Sequence, residues 1–98
     1  METIKYRIIN GTTNEPMNEV YVAKVKPEQT FTDAKHGKTI ELRRCKDMII
    51  NIDGFEPLQP RTIKRKQNGI WELGYGWAKG KSWSQYTTFC EIAVVDIN

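Results

Sequence analysis

The sequence predicts an all-β domain: a single β-sandwich of about seven strands spanning residues 1–98. Three observations carry that expectation. Apolar residues recur with period two along most of the chain. Turn-forming pairs separate these runs at short, fairly even intervals. No segment shows the i, i+3, i+4, i+7 apolar stripe of an amphipathic helix over three turns.

The strands follow in order. Ile4, Tyr6 and Ile8 alternate with Lys5 and Arg7, the pattern of a half-buried strand. Glu19 to Val25 is rich in β-formers, and Thr39 to Leu42 puts Ile40 and Leu42 on one face. Met48, Ile49, Ile50 and Ile52 read as a more thoroughly buried strand. Trp71, Leu73, Tyr75 and Trp77 share a face opposite Glu72, Gly74 and Gly76. The last strand runs from Phe89 to Ile97, with Cys90, Ile92 and Val94 on one side. Within this arrangement Ile8, Val22, Ile40, Ile50 and Val94 are the expected core.

Between the runs lie Asn10-Gly11, Asn14-Glu15-Pro16, Lys26-Pro27, His36-Gly37, Asp53-Gly54, Asn68-Gly69 and Lys79-Gly80. Asn68-Gly69, set between Ile63-Lys64 and Ile70-Trp71, is the clearest two-residue hairpin turn, because both positions tolerate positive φ.

Ninety-eight residues at 11.4 kDa make one domain, burying roughly 65% of the surface its unfolded chain exposes. That size leaves no room for a second cofactor-binding half. Hydrophobic residues at 39% and charged residues at 28% suit a folded chain rather than a disordered one. No apolar run approaches the ~20 residues of a membrane span, so no membrane partner is expected. Met1-Glu2-Thr3-Ile4-Lys5 lacks the charged and then apolar stretch of an export signal, and the expected location is the cytoplasm. Cys45 and Cys90 follow no metal-ligand spacing and are expected as reduced thiols.

The net charge of +3 is local. Arg61, Lys64, Arg65 and Lys66 lie within six residues without an acid, and the rest of the chain carries 11 cations against 12 acids. Such a segment can meet an anionic surface or an acidic protein patch. Nucleic-acid binders carry wider basic faces, which argues against that class.

Part of the chain resembles a known family. Thr12-Thr13-Asn14-Glu15-Pro16-Met17 followed by Val20-Tyr21-Val22 is similar to the opening of carboxypeptidase-regulatory-like domains. Thr32-Asp33-Ala34-Lys35-His36-Gly37 resembles their Thr-Asp-x-x-Gly turn, one residue longer, and Asp47 through Gly54-Phe55 resembles their closing strand. The resemblance covers roughly residues 6 to 58. It implies an Ig-like, transthyretin-like β-sandwich, and non-enzymatic modules as the usual role. Asp33 would accept hydrogen bonds from its own turn, and Gly37 would take a backbone conformation barred to other residues.

Enzyme readings fail on inventory. His36 is the only histidine and sits in a turn beside Lys35 and Gly37. Ser82 and Ser84 lack a nucleophile elbow. Asp47 and Asp53 share a strand face but flank a buried segment, where turn and edge roles suit them. No glycine-rich phosphate loop exists, and no cofactor is expected. Hydroxyisourate hydrolase, a free-standing transthyretin-like enzyme, needs more than one histidine and a Tyr-Arg-Gly-Ser tail; this chain ends Val94-Val95-Asp96-Ile97-Asn98.

The aromatic residues are unevenly spread. Six of ten, including all three tryptophans, lie between Trp71 and Phe89. Trp71 and Leu73 suit the core, while Trp77, Trp83 and Tyr86 in the following loop suit a contact surface, since Trp and Tyr dominate binding hot spots. The expected partner-binding set is therefore Arg61, Lys64, Arg65, Lys66, Trp77, Trp83 and Tyr86. Protein is the favoured partner, because no ring of Asn, Asp and Gln accompanies the aromatics to bind sugar hydroxyls. The expected function is a structural or interaction module docking on a repeated shell or tail subunit, such as a tailed-phage head-decoration or tail accessory protein. A glycan-binding module using residues 71–86 is the alternative.

Overall fold

Along the first strand, β1 (Glu2–Ile8), Ile4, Tyr6 and Ile8 are buried while Lys5 and Arg7 face solvent, so the two-residue sequence period is the period of burial. The computed structural model describes residues 2–46, 48–51, 54, 56–66 and 70–98. Six further strands follow: β2 (Tyr21–Val25), β3 (Gln29–Asp33), β4 (Thr39–Arg44), β5 (Thr62–Arg65), β6 (Trp71–Lys79) and β7 (Ser82–Ile97). The described residues contain no helix.

The strands form one mixed sheet in the order β2-β1-β7-β3-β4-β5-β6, and β6 also pairs with β7. All pairings between strands are antiparallel except the short parallel contact of β3 with β7. Strand β7 makes this closure possible. Its 16 residues would span ~53 Å if straight, yet the longest dimension of the molecule is 36 Å, so β7 must bend. Its start meets β3, its first two thirds meet β6, and its end meets β1. Register shifts accompany the bend, between Leu73 and Gly74 and between Tyr75 and Gly76 on β6, and between Lys5 and Tyr6 on β1. The sheet thus folds over itself in the manner of a single sandwich-like domain.

Two apolar clusters fill it. The larger joins Ile4, Tyr6 and Ile8 to Ala23, Val25, Cys45, Met48, Ile50, Ile63, Trp71, Leu73 and Ile92. The smaller holds Phe31, Leu42 and Trp83, with Ile40 and Ala78 packed on it. Of the expected core, Ile8 and Ile50 are buried, and Ile40 and Val94 are partly so. Val22 is not: it is 61% exposed. The β1–β2 register decides this, placing Tyr21 and Ala23 opposite Tyr6 and Ile4, and Val22 opposite the outward Lys5.

The strand expected over Met48 to Ile52 also differs. Met48 and Ile50 are buried, but the segment makes only an isolated bridge, with Ile50 and Leu58 exchanging two hydrogen bonds at 2.9 Å. Leu58 is flanked by Pro57 and Pro60, which have no N–H to extend a ladder. Ile52, Asp47, Asp53 and Phe55 lie outside the described residues, as does the Asn68-Gly69 pair. The strands on either side of it, β5 and β6, are paired antiparallel, with Arg65 opposite Trp71.

The Asp33–Gly37 turn is as read from the residues. Asp33 Oδ1 accepts from the amides of Lys35 at 2.8 Å and His36 at 3.3 Å, and Gly37 sits at φ 68°. These bonds, led by the Lys35 amide, hold the Asp33 carboxyl below its ordinary value. The β6–β7 hairpin closes through Gly80, whose φ of 61° is the left-handed conformation a tight hairpin needs. Both cysteines are free thiols, and burial pushes each up to about 11.

Candidate docking surface and basic cleft

The seven residues expected to bind a partner do not form one surface. Lys64, Arg65 and Lys66 lie on or just after β5, where cross-strand pairing brings them to glutamates. Lys66 Nζ is 3.0 Å from Glu72 and 3.7 Å from Glu91, and Lys64 Nζ is 4.0 Å from Glu72. Arg65 donates to both carboxylate oxygens of Glu28, at 2.8 and 2.7 Å, and lies 3.3 Å from Glu41. Its guanidinium also covers the Trp71 ring at 5.0 Å. Glu72 is buried, and burial pushes its carboxyl up. Hydrogen bonds from Lys66, Thr88 and Gln85 and the charge of Lys64 outweigh that and leave it below its ordinary value. A run of cations in the sequence is therefore a neutralised network in the fold.

Trp83 is a correction as well. It is 2% exposed, packed on Phe31 with ring centroids 6.0 Å apart. Gly76 makes room for it: a Cβ at that position would lie 2.5 Å from Trp83 Cζ2. Trp83 is a core residue rather than an exposed contact ring. Nor do Trp77, Trp83 and Tyr86 occupy a loop, since all three stand on β6 and β7.

Trp77 and Tyr86 do form a surface. They are 59% and 56% exposed, and their rings meet edge to face with centroids 5.0 Å apart. Tyr75, also exposed and not singled out as a partner residue in the sequence, adds a third ring 5.9 Å from Tyr86. By strict alternation Tyr75 and Trp77 should follow Trp71 and Leu73 into the core. They do not, because β6 runs on past the larger cluster and is paired there only with β7. That outcome depends on how far the core extends, which alternation does not encode.

Arg61 parts company with Lys64–Lys66. Three backbone hydrogen bonds set it in a row: Lys26 N–H donates to Arg44 O at 2.9 Å, Cys45 N–H to Arg61 O at 3.0 Å, and Arg61 N–H to Gly74 O at 3.0 Å. The row gathers Lys26, Arg44, Lys46 and Arg61 around a cleft of about 400 Å³, with Trp77, Ala78, Gly76 and the buried Trp83 along its other side. No described acidic residue lines it. Arg44 is steadied over the Phe31 ring at 5.6 Å. The run Arg43-Arg44-Cys45-Lys46 was the available sequence signal, although Arg43 turns away to pair with Glu2.

No three of His, Cys, Asp and Glu gather among the described residues as metal ligands would. His36 Nδ1 lies 3.3 Å from Asp33 in its own turn. In comparisons with known protein families, curated proteins and solved structures, the chain has no match.

Proposed function

We propose that this chain is a non-enzymatic docking domain that binds a protein surface through Tyr75, Trp77 and Tyr86. The observation that carries the reading is the clustering of three exposed aromatic rings on one arm of the sheet, a feature scattered surface apolar residues do not produce. Such rings bring large contact area and a polar handle at low entropic cost. Protonated thiols and a lone turn histidine support a binding role over a catalytic one. The Asp33–Gly37 turn likewise supports the resemblance to carboxypeptidase-regulatory-like modules.

Three rings make a small anchor, so the partner that suits them is a repeated surface on which many copies act together. The shell or tail of a tailed-phage particle, bearing this chain as a decoration or accessory subunit, is such a surface. The test is co-sedimentation of Trp77→Ala and Tyr86→Ala with assembled particles. Each truncation should weaken docking by about 2 kcal/mol or more while leaving the fold intact, since both side chains are exposed. Unaltered binding by both variants would refute the aromatic patch, and failure of the folded wild type to bind any particle would refute the virion setting. Quenching of tryptophan fluorescence by oligosaccharides would favour a glycan partner instead.

A further inference from the structure

The cleft beside the aromatic patch presents four cations without a described acid, and contact through the three rings alone leaves it unfilled. We infer that Lys26, Arg44, Lys46 and Arg61 receive the carboxylates of an acidic segment of the partner protein, seated against Trp77. The inference rests on the docking reading and supplies the partner's chemistry.

Four observations lead to it. First, the charges are unspent. Whereas Lys64, Arg65 and Lys66 are each matched to glutamates, no ion pair joins these four to any described acid. Like charges gathered into one concavity attract a counter-charge more strongly than the same charges spread on a convex surface.

Second, donors are waiting. The Nε of Arg44 and the indole Nε1 of Trp83, both on side chains lining the cleft, are buried and have no acceptor among the described residues. A buried donor without a partner is costly, and Trp83 is fixed in place by Phe31 and Gly76. A carboxylate has about four lone-pair sites and no donor of its own, which matches a lining that carries four cationic donors and no described acid.

Third, Trp77 belongs to both features. It lines the cleft and stacks edge-on against Tyr86 in the patch, so a chain segment lying across the rings reaches the cations without a break. Fourth, a cleft of about 400 Å³ accommodates side chains rather than a folded element. An Asp or Glu side chain, with an apolar stem for the indole and a charged head for the guanidinium groups, fits both walls. Planar guanidinium groups favour paired contacts to carboxylates.

The experiment titrates the full chain with a hexaglutamate peptide at low salt, followed by tryptophan fluorescence and calorimetry. Hexathymidylate and inorganic phosphate serve as competing anions. Saturable binding of hexaglutamate is expected, weakening as salt rises and falling at least tenfold in the double variant Lys46→Glu/Arg61→Glu. Lys35→Glu/Lys38→Glu, the same charge change at two lysines that do not line the cleft, should retain it. Both pairs are exposed, so circular dichroism should show all variants folded. No saturable binding, equal losses in the two double variants, or tighter binding of hexathymidylate or phosphate would each overturn the proposal. Particle co-sedimentation separates the two readings. Dependence on Trp77 and Tyr86 but not on Lys46 and Arg61 overturns the acidic segment and leaves the aromatic docking standing.

Discussion

Gly76→Ala should be among the most damaging single-methyl changes available in this chain. The added Cβ would stand 2.5 Å from Trp83 Cζ2 and closer still to the backbone carbonyl oxygen of Ser84, where ordinary contacts begin near 3.4 Å. Relief therefore needs a displacement of about 1 Å, and neither obstacle can give it freely. Ser84 is held in the ladder opposite Trp77, and the Trp83 ring is enclosed by Phe31, Leu42 and their neighbours. Alanine gains ~0.4–1 kcal/mol by restricting the unfolded chain, but overpacking a filled site costs ~1–3 kcal/mol or more. Two unyielding obstacles place the net loss near 2 kcal/mol. For a domain of this size that lowers Tm by roughly 10–15 °C. Gly11→Ala is the matched control: its Cβ would meet nothing within 4 Å, and its φ is not positive. It should change stability by less than about 1 kcal/mol, in the favourable direction if at all. Urea and thermal unfolding followed by tryptophan fluorescence measure both. Equal stability of the two variants would refute the reading of Gly76 as the seat of Trp83.

The core boundary predicts a second contrast, in which Ile50→Ala costs about 2–5 kcal/mol while the exposed Val22→Ala stays within about 0.5 kcal/mol of wild type by urea denaturation. Glu72→Gln should cost about 1.5–3 kcal/mol at pH 7. Because the Glu72 pKa is lower folded than unfolded, its contribution is full above about pH 4.5 and fades as pH falls through the folded value, so wild-type and variant stabilities should converge in acid. A constant difference between pH 7 and pH 3 would contradict that assignment. Both thiols, at about 11 rather than near 9, should alkylate in native protein at pH 8 about a hundredfold more slowly than after unfolding. The same shift removes stability as pH rises from about 9 to 11. Mass spectrometry should find Cys45 and Cys90 both labelled, and an intact crosslink between them would overturn the expectation.

Local features of the sequence were enough for the all-β class, for the inward faces of β1 and β6 at Ile4, Tyr6, Trp71 and Leu73, and for the Asp33–Gly37 turn. Each depends on residues within a few positions of one another, where period-two burial and turn chemistry act. What distant residues had to decide was not readable in that way. The outward turn of Val22 comes from its register against Lys5, and the burial of Trp83 from Phe31 and from the missing side chain of Gly76. The basic run at Arg61–Lys66 appears as one patch because its acids lie far away in sequence. Pairing with Glu28, Glu41, Glu72 and Glu91 neutralises three of its members, and the fourth joins Lys26, Arg44 and Lys46 through backbone bonds between separate segments. Charge and apolarity belong to the residue, but whether either is left for a partner depends on what the folded chain sets against it.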